Sequence, residues 1–184
     1  MIELVIGGAR SGKSAYAEKQ ALDAGLHVAY VATARHGGTA DAEMERRIAH
    51  HRARRPAAWA SIEAPLSLAA TLRQYAAPDG CLLVDCLTLW LSGLFFAGRA
   101  AHQAEAGAAI DCALLAGETE ALLATLPTLP GRVILVSNEV GWGIVPMHPV
   151  ARLFADAQGR LNQRVAALSD HVTLVAAGLP LRIK

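Results

Sequence analysis

Short apolar runs alternate along the chain with longer segments of helical period, and this pattern predicts the architecture. Strands are predicted at Glu3–Ile6, His27–Thr33, Cys81–Asp85, Arg132–Ser137 and His171–Ala176, all rich in Val, Leu or Ile. Helices are predicted over Lys13–Ala24, Ala42–Arg55, Leu66–Tyr75, Ala104–Leu126 and Val150–Leu168. Strands that alternate with helical crossovers imply an α/β fold, a mainly parallel sheet with helices on both faces. Near-continuous apolar strands suit a sheet covered on both sides. The tail Gly178–Lys184 is expected to return as an edge strand. No repeat or linker divides the 184 residues, and Pro127–Gly131 reads as a loop before a strand, so one domain is expected.

The first strand runs into Gly7-Gly8-Ala9-Arg10-Ser11-Gly12-Lys13-Ser14, which fits G-x-x-x-x-G-K-[ST]. Glycines let successive backbone N–H groups curl round phosphate oxygens, Lys13 reaches the β and γ phosphates, and the Ser14 hydroxyl can ligate Mg²⁺. The helix that begins here points its positive dipole end at the same anion. A strand before the motif and a helix after it are the context a P-loop needs, so the chain is expected to bind a nucleoside triphosphate. An acidic residue is then expected at the end of a neighbouring strand. Asp85, after Leu82-Leu83-Val84, fills that place and could hold Mg²⁺ through water beside Ser14. The competing reading makes Asp85 the N-cap of a helix over Leu87–Phe96.

Asp41–Arg55 reads DAEMERRIAHHRARR. Met44, Ile48 and His51 share one helical face, while His50 points about 100° away, towards Arg46 and Arg47. Two histidines among five arginines form a cationic site suited to phosphate, in which a neutral imidazole could attack phosphorus. The alternative is a solvated face with His51 at the edge of the core. Val136–Pro146 (VSNEVGWGIVP) places a polar triplet at a strand exit, where α/β proteins hold ligands; a glycine-rich turn packed by Trp142 is the competing reading. The helix segment Asp156–Arg164 carries several unpaired polar side chains that would face substrate or a neighbouring subunit.

Composition narrows the function classes. With 53% hydrophobic and 18% charged residues the chain is globular, and a formal charge of +1 gives no field to draw nucleic acid or a membrane surface. Cys81, Cys86 and Cys112 have neither CxxC spacing nor an even count, which suggests buried thiols in a reducing cytosol. No signal run opens the sequence, and Cys81–Ala97 is too short and mixed for a membrane span. A cytoplasmic protein is expected.

The blocks taken together resemble the bifunctional adenosylcobinamide kinase/adenosylcobinamide-phosphate guanylyltransferase family of cobalamin biosynthesis. The resemblance is carried by GGARSGKS at Gly7–Ser14, YVAT at Tyr30–Thr33, RIAHHRARRP at Arg47–Pro56, LVDCLTLWLSGL at Leu83–Leu94, SNEVGWGIVP at Ser137–Pro146 and GRLNQRVA at Gly159–Ala166. It implies a RecA-like P-loop NTPase fold and two reactions. ATP or GTP first phosphorylates the hydroxyl on the aminopropanol arm of adenosylcobinamide. GTP then guanylylates an enzyme histidine, and GMP passes to adenosylcobinamide phosphate to give adenosylcobinamide-GDP, with pyrophosphate released. Carried onto this chain, Gly7, Gly8, Ala9, Arg10, Ser11, Gly12, Lys13 and Ser14 cradle phosphates, with Lys13 catalytic. Ser14 and Asp85 serve the metal. Ala32, Thr33, Ala34, Arg52, Ala53, Arg54, Arg55 and Glu63 lie in the guanylyl-nucleotide site, and His51 is the nucleophile. The segment Arg35–Asp41 departs from the family pattern in length. The resemblance also implies a homo-oligomer, a trimer. Two alternatives remain: a monofunctional P-loop kinase for a small metabolite, and a nucleotide-dependent switch, for which the guanine-reading NKxD motif is missing.

Overall fold

The apolar run Ile2–Gly7 forms strand β1, buried along its whole length near the middle of a single sheet. The computed structural model describes residues 1–34 and 56–184. β2 (His27–Ala32), β3 (Ala60–Glu63), β4 (Gly80–Asp85), β5 (Arg132–Asn138), β6 (His171–Ala176) and β7 (Leu179–Arg182) complete the sheet in the order β3-β2-β4-β5-β1-β6-β7. All pairs are parallel except β6 with β7. The described helices are α1 (Lys13–Asp23), α2 (Leu68–Tyr75), α3 (Leu87–Ala97), α4 (Ala100–Glu105), α5 (Ala113–Thr125) and α6 (Pro149–Leu168). None of them is long and apolar enough to cross a membrane.

Side chains alternate across the strands and feed two cores. Leu4, Ile6, Leu82, Val84, Val133 and Leu135 meet α2, α3, α5 and α6 on one face, with Trp90 buried at the centre. Val5, Leu83, Ile134 and Val136 meet Ala17 and Ala21 of α1 on the other. Glu3 is buried in β1 because Arg132 on β5 reaches its Oε2 at 2.7 Å. The Trp90 indole N–H donates to the Leu66 carbonyl at 2.6 Å.

Several expectations change. β4 does not neighbour β1; β5 lies between them, so Asp85 sits two strand spacings, ~10 Å, from the P-loop strand. The helix expected over Ala104–Leu126 is two helices. Gly107, at φ +67, turns the chain after α4, and α5 begins only at Ala113. β3 escaped prediction because it is a four-residue, largely exposed strand at the sheet edge, with one apolar side chain packing inward. The tail is the edge strand expected, turned back through Ala177 and Gly178, both with positive φ as a tight hairpin requires.

Candidate active site

The P-loop spans the gap between the end of β1 and the start of α1. Arg10 and Gly12 take positive φ (58° and 95°), which tightens the loop, and the Ser11 N–H closes on the Gly8 carbonyl at 3.3 Å. The hairpin after β6 buttresses it, since the Gly178 N–H donates to the Ser11 carbonyl at 2.8 Å. Gly7 is tight against the Val175 carbonyl, where a Cβ would clash. Gly8, Ala9, Arg10 and Gly12 line the solvent side, and the Ser14 side chain is half-buried at the helix start.

Lys13 is buried and its Nζ donates to the Gly8 carbonyl at 3.0 Å, closing on its own loop. Burial lowers its pKa from the ordinary 10.5, against the opposing fields of Cys86 and Asp85. A phosphate here would return the charge partner that burial withholds. The Ser11 hydroxyl is buried with no hydrogen-bond partner among the described residues, a second polar group suited to an anion.

Asp85 ends β4 on the same sheet face as α1. The Tyr30 hydroxyl donates to its Oδ2 at 3.1 Å. The helix-cap alternative does not hold: Cys86 occupies the N-cap of α3, and no side chain caps that end. The Cys86 thiol, pushed up to about 11 chiefly by burial, is protonated at neutral pH. Ser14 and Asp85 are a sparse donor set, and no cluster of three or more metal-binding side chains lies among the described residues. That suits Mg²⁺, which keeps several waters and takes phosphate oxygens as ligands.

Ala32 pairs in register with Asp85 on one side and Glu63 on the other, so the three lie along the carboxyl edge of the sheet. Glu63 is four strand spacings, ~19 Å, from β1. Thr33 is fully buried; its hydroxyl donates to the Cys86 carbonyl at 2.7 Å and accepts from the Cys86 N–H at 2.9 Å. Its side chain therefore braces the peptide after Asp85, and of the two residues only Ala34 is partly exposed. His51, Arg52, Ala53, Arg54 and Arg55 lie outside the described residues.

The strand-exit triplet is held more firmly than its glycine-rich sequence implied. The Glu139 N–H donates to the Gly7 carbonyl at 3.1 Å, and the Asn138 N–H donates to the Thr88 hydroxyl at 2.9 Å. Asn162 Nδ2 reaches both the Asn138 carbonyl (3.0 Å) and Glu139 Oε1 (2.9 Å), while its Oδ1 accepts from the Ser137 hydroxyl (2.7 Å) and from Gln158 (3.0 Å). Gln158 and Asn162 thus face neither substrate nor another subunit; with Leu161 and Val165 they form the buried stripe of α6. Glu139, Asn162 and Tyr30 were not among the named site residues, although Glu139 lay in the strand-exit triplet and Asn162 in the polar helix segment that the sequence offered as ligand-facing. The i, i+4 placement of Gln158 and Asn162 beside Leu161 and Val165 was the available signal.

Comparison with known proteins follows the same lines. The model of a family described as cobinamide kinase / cobinamide phosphate guanyltransferase matches residues 3–183. The chain belongs to that family. It is 51% identical to the bifunctional adenosylcobalamin biosynthesis protein CobP of Pseudomonas aeruginosa, covering all of this chain and 98% of that protein. It is 42% identical to CobU of Salmonella typhimurium, which carries the same description, over the full length of both. Family membership makes the chain an enzyme of cobalamin biosynthesis, a cobinamide kinase and cobinamide phosphate guanylyltransferase. Among solved structures, the ATPase EscN of the enteropathogenic E. coli type III secretion system superposes with a TM-score of 0.59 at 11% identity, over 96% of this chain and 43% of that one. A second type III secretion ATPase gives 0.57 at 10% identity, over 94% and 50%. These likenesses establish the P-loop NTPase fold.

Proposed function

We propose that one P-loop, in one domain, serves both reactions of this cobinamide kinase/guanylyltransferase. The observation that carries the reading is Lys13, buried in its loop, lowered in pKa and facing the field of Asp85: a cation poised for the β and γ phosphates. In the kinase reaction ATP or GTP lies with its phosphates on Gly7–Ser14. The aminopropanol hydroxyl of adenosylcobinamide takes the γ-phosphoryl group, and the nucleoside diphosphate leaves. In the transfer reaction the His51 imidazole attacks the α-phosphorus of GTP, and pyrophosphate leaves from the Lys13 side. The GMP then passes to a phosphate oxygen of adenosylcobinamide phosphate. Mg²⁺, held by Ser14 and through water by Asp85, would neutralise charge on the phosphates. Arg52–Arg55 with Ala32, Thr33, Ala34 and Glu63 complete the guanylyl-nucleotide site in this reading.

We further infer a homo-oligomer, a trimer, in the cytoplasm. The apolar side chains of Trp142, Ile144, Val145 and Met147, between 68% and 97% exposed, support a surface covered in the assembly. Three free cysteines suit a reducing compartment. Incubation with adenosylcobinamide and GTP, followed by mass analysis of the corrinoid, tests the reading. Adenosylcobinamide phosphate and then adenosylcobinamide-GDP are expected, and Lys13→Met should stop both. A phosphate product alone would leave a monofunctional kinase.

A further inference from the structure

Three reactive acceptors meet nucleotide in the proposed cycle, and only one of them has a proton to lose. The histidine attacks through an unprotonated ring nitrogen, and the corrinoid phosphate attacks through an oxygen already ionised. The acceptor of the kinase reaction is an alcohol, whose proton needs somewhere to go. Lys13, with its positive charge at the phosphates, is the wrong group to take it. Asp85 sits on the α1 face, its Oδ2 engaged by Tyr30, and serves the metal in the reading above.

Glu139 approaches the loop from the other side of the sheet. β5 runs between the P-loop strand and the Asp85 strand, and its Asn138 pairs in register with Gly7. Glu139 is the next residue, tied by its N–H to the Gly7 carbonyl. Its side chain turns towards α6, where Asn162 holds Oε1 at 2.9 Å. Asn162 is itself locked by Ser137 and Gln158, both fully buried. The other oxygen, Oε2, is engaged by none of the described residues. Such support holds one carboxylate oxygen towards α6 and leaves the other unused. The chain then enters Val140–Met147, whose exposed apolar side chains are those read above as covered in the assembly.

We propose that Glu139 is the general base of the kinase reaction, with Asn162 as its positioning residue. The inference rests on the reading of the P-loop as the site of phosphoryl transfer. The acceptor O–H bond breaks and its proton passes to Glu139 Oε2. The freed oxygen pair forms the bond to the γ-phosphorus, the bond from that phosphorus to the β–γ bridging oxygen breaks, and the nucleoside diphosphate leaves with those electrons.

Glu139→Gln is the direct test, because the amide oxygen still accepts from Asn162 while the proton acceptor is gone. Kinase kcat should fall about 10²–10⁴-fold, the range set by loss of a positioned general base. Self-guanylylation from GTP, and GMP transfer to supplied adenosylcobinamide phosphate, should stay within about threefold of the unmodified enzyme. Glu139→Asp, a second variant should the first fold poorly, should keep kinase turnover at a reduced rate. Kinase turnover retained in Glu139→Gln, or a parallel fall in both reactions, would overturn the assignment. Lys13→Ala separates this from failure of the underlying reading: if that variant still phosphorylates adenosylcobinamide, the P-loop is not the kinase site at all.

Discussion

Replacing Asn162 with leucine removes a side chain of similar size that makes four hydrogen bonds inside α6 and the end of β5. Two of its partners lose the bond that Asn162 made to them. The fully buried Ser137 hydroxyl loses its acceptor, and the Asn138 carbonyl loses its side-chain donor. Gln158 keeps its bond to Ser137 at 2.9 Å, and half-exposed Glu139 can turn to water. Each stranded group costs about 1–3 kcal/mol, or ~4 kcal/mol together. The added apolar surface returns ~1.5 kcal/mol, near the low end for a buried leucine. The net loss is about 2–3 kcal/mol, a fall in Tm of about 5–10 °C for a chain of this size. Urea unfolding followed by far-UV circular dichroism should show a lower midpoint with an unchanged slope. Arg164→Ala is the matched control on the same helix, since its bidentate pair with Glu120 is exposed and should leave the midpoint where it was. An Asn162→Leu midpoint equal to that of the unmodified chain, or a loss matched by Arg164→Ala, would refute the buried-network account.

Three further outcomes follow from other parts of the molecule. Lys13 binds phosphate as the ammonium, and burial sets its pKa below 10.5, so triphosphate affinity should decline as pH rises through that lowered value. Titration of nucleotide binding from neutral to alkaline pH checks this, and the decline should vanish in Lys13→Met. Tyr30→Phe removes the donor to Asp85 Oδ2 and should raise the Mg²⁺ needed for half-maximal kinase rate by about tenfold, the scale of a lost supporting contact; an unchanged Mg²⁺ titration would remove Asp85 from the metal site. Glu3→Gln leaves Arg132 buried without its counter-charge and should cost about 3 kcal/mol in chemical denaturation, whereas Glu3→Leu with Arg132→Met should cost much less.

The central strands and the P-loop were legible because their signals are local. Ile2–Ile6 is apolar enough to be buried on both faces, and the glycines and Lys13 carry their own geometry. Strand order was not local. Nothing in Leu82-Leu83-Val84-Asp85 tells that β5 intervenes before β1, so Asp85 was placed one strand too near. β3 lacked an apolar period because an edge strand needs little of it. The long helix between Ala104 and Leu126 was misread because alanine and leucine satisfy a helical pattern through the turn at Gly107. At the site, Glu139 is assembled by tertiary contacts. Its role depends on Asn162, more than twenty residues further along the chain, and on a register that ties it to Gly7. The polar residues of α6 looked like a binding face because polarity alone does not reveal which way a helix is turned.

GTP labelled at the α-phosphate tests most directly the claim that one site runs two chemistries. The unmodified enzyme should retain acid-labile label, and Lys13→Ala should retain little. His51→Ala should retain none while still phosphorylating adenosylcobinamide. Label that persists in His51→Ala and disappears in His50→Ala would contradict the choice of nucleophile, and no label on the unmodified enzyme would contradict the covalent route altogether.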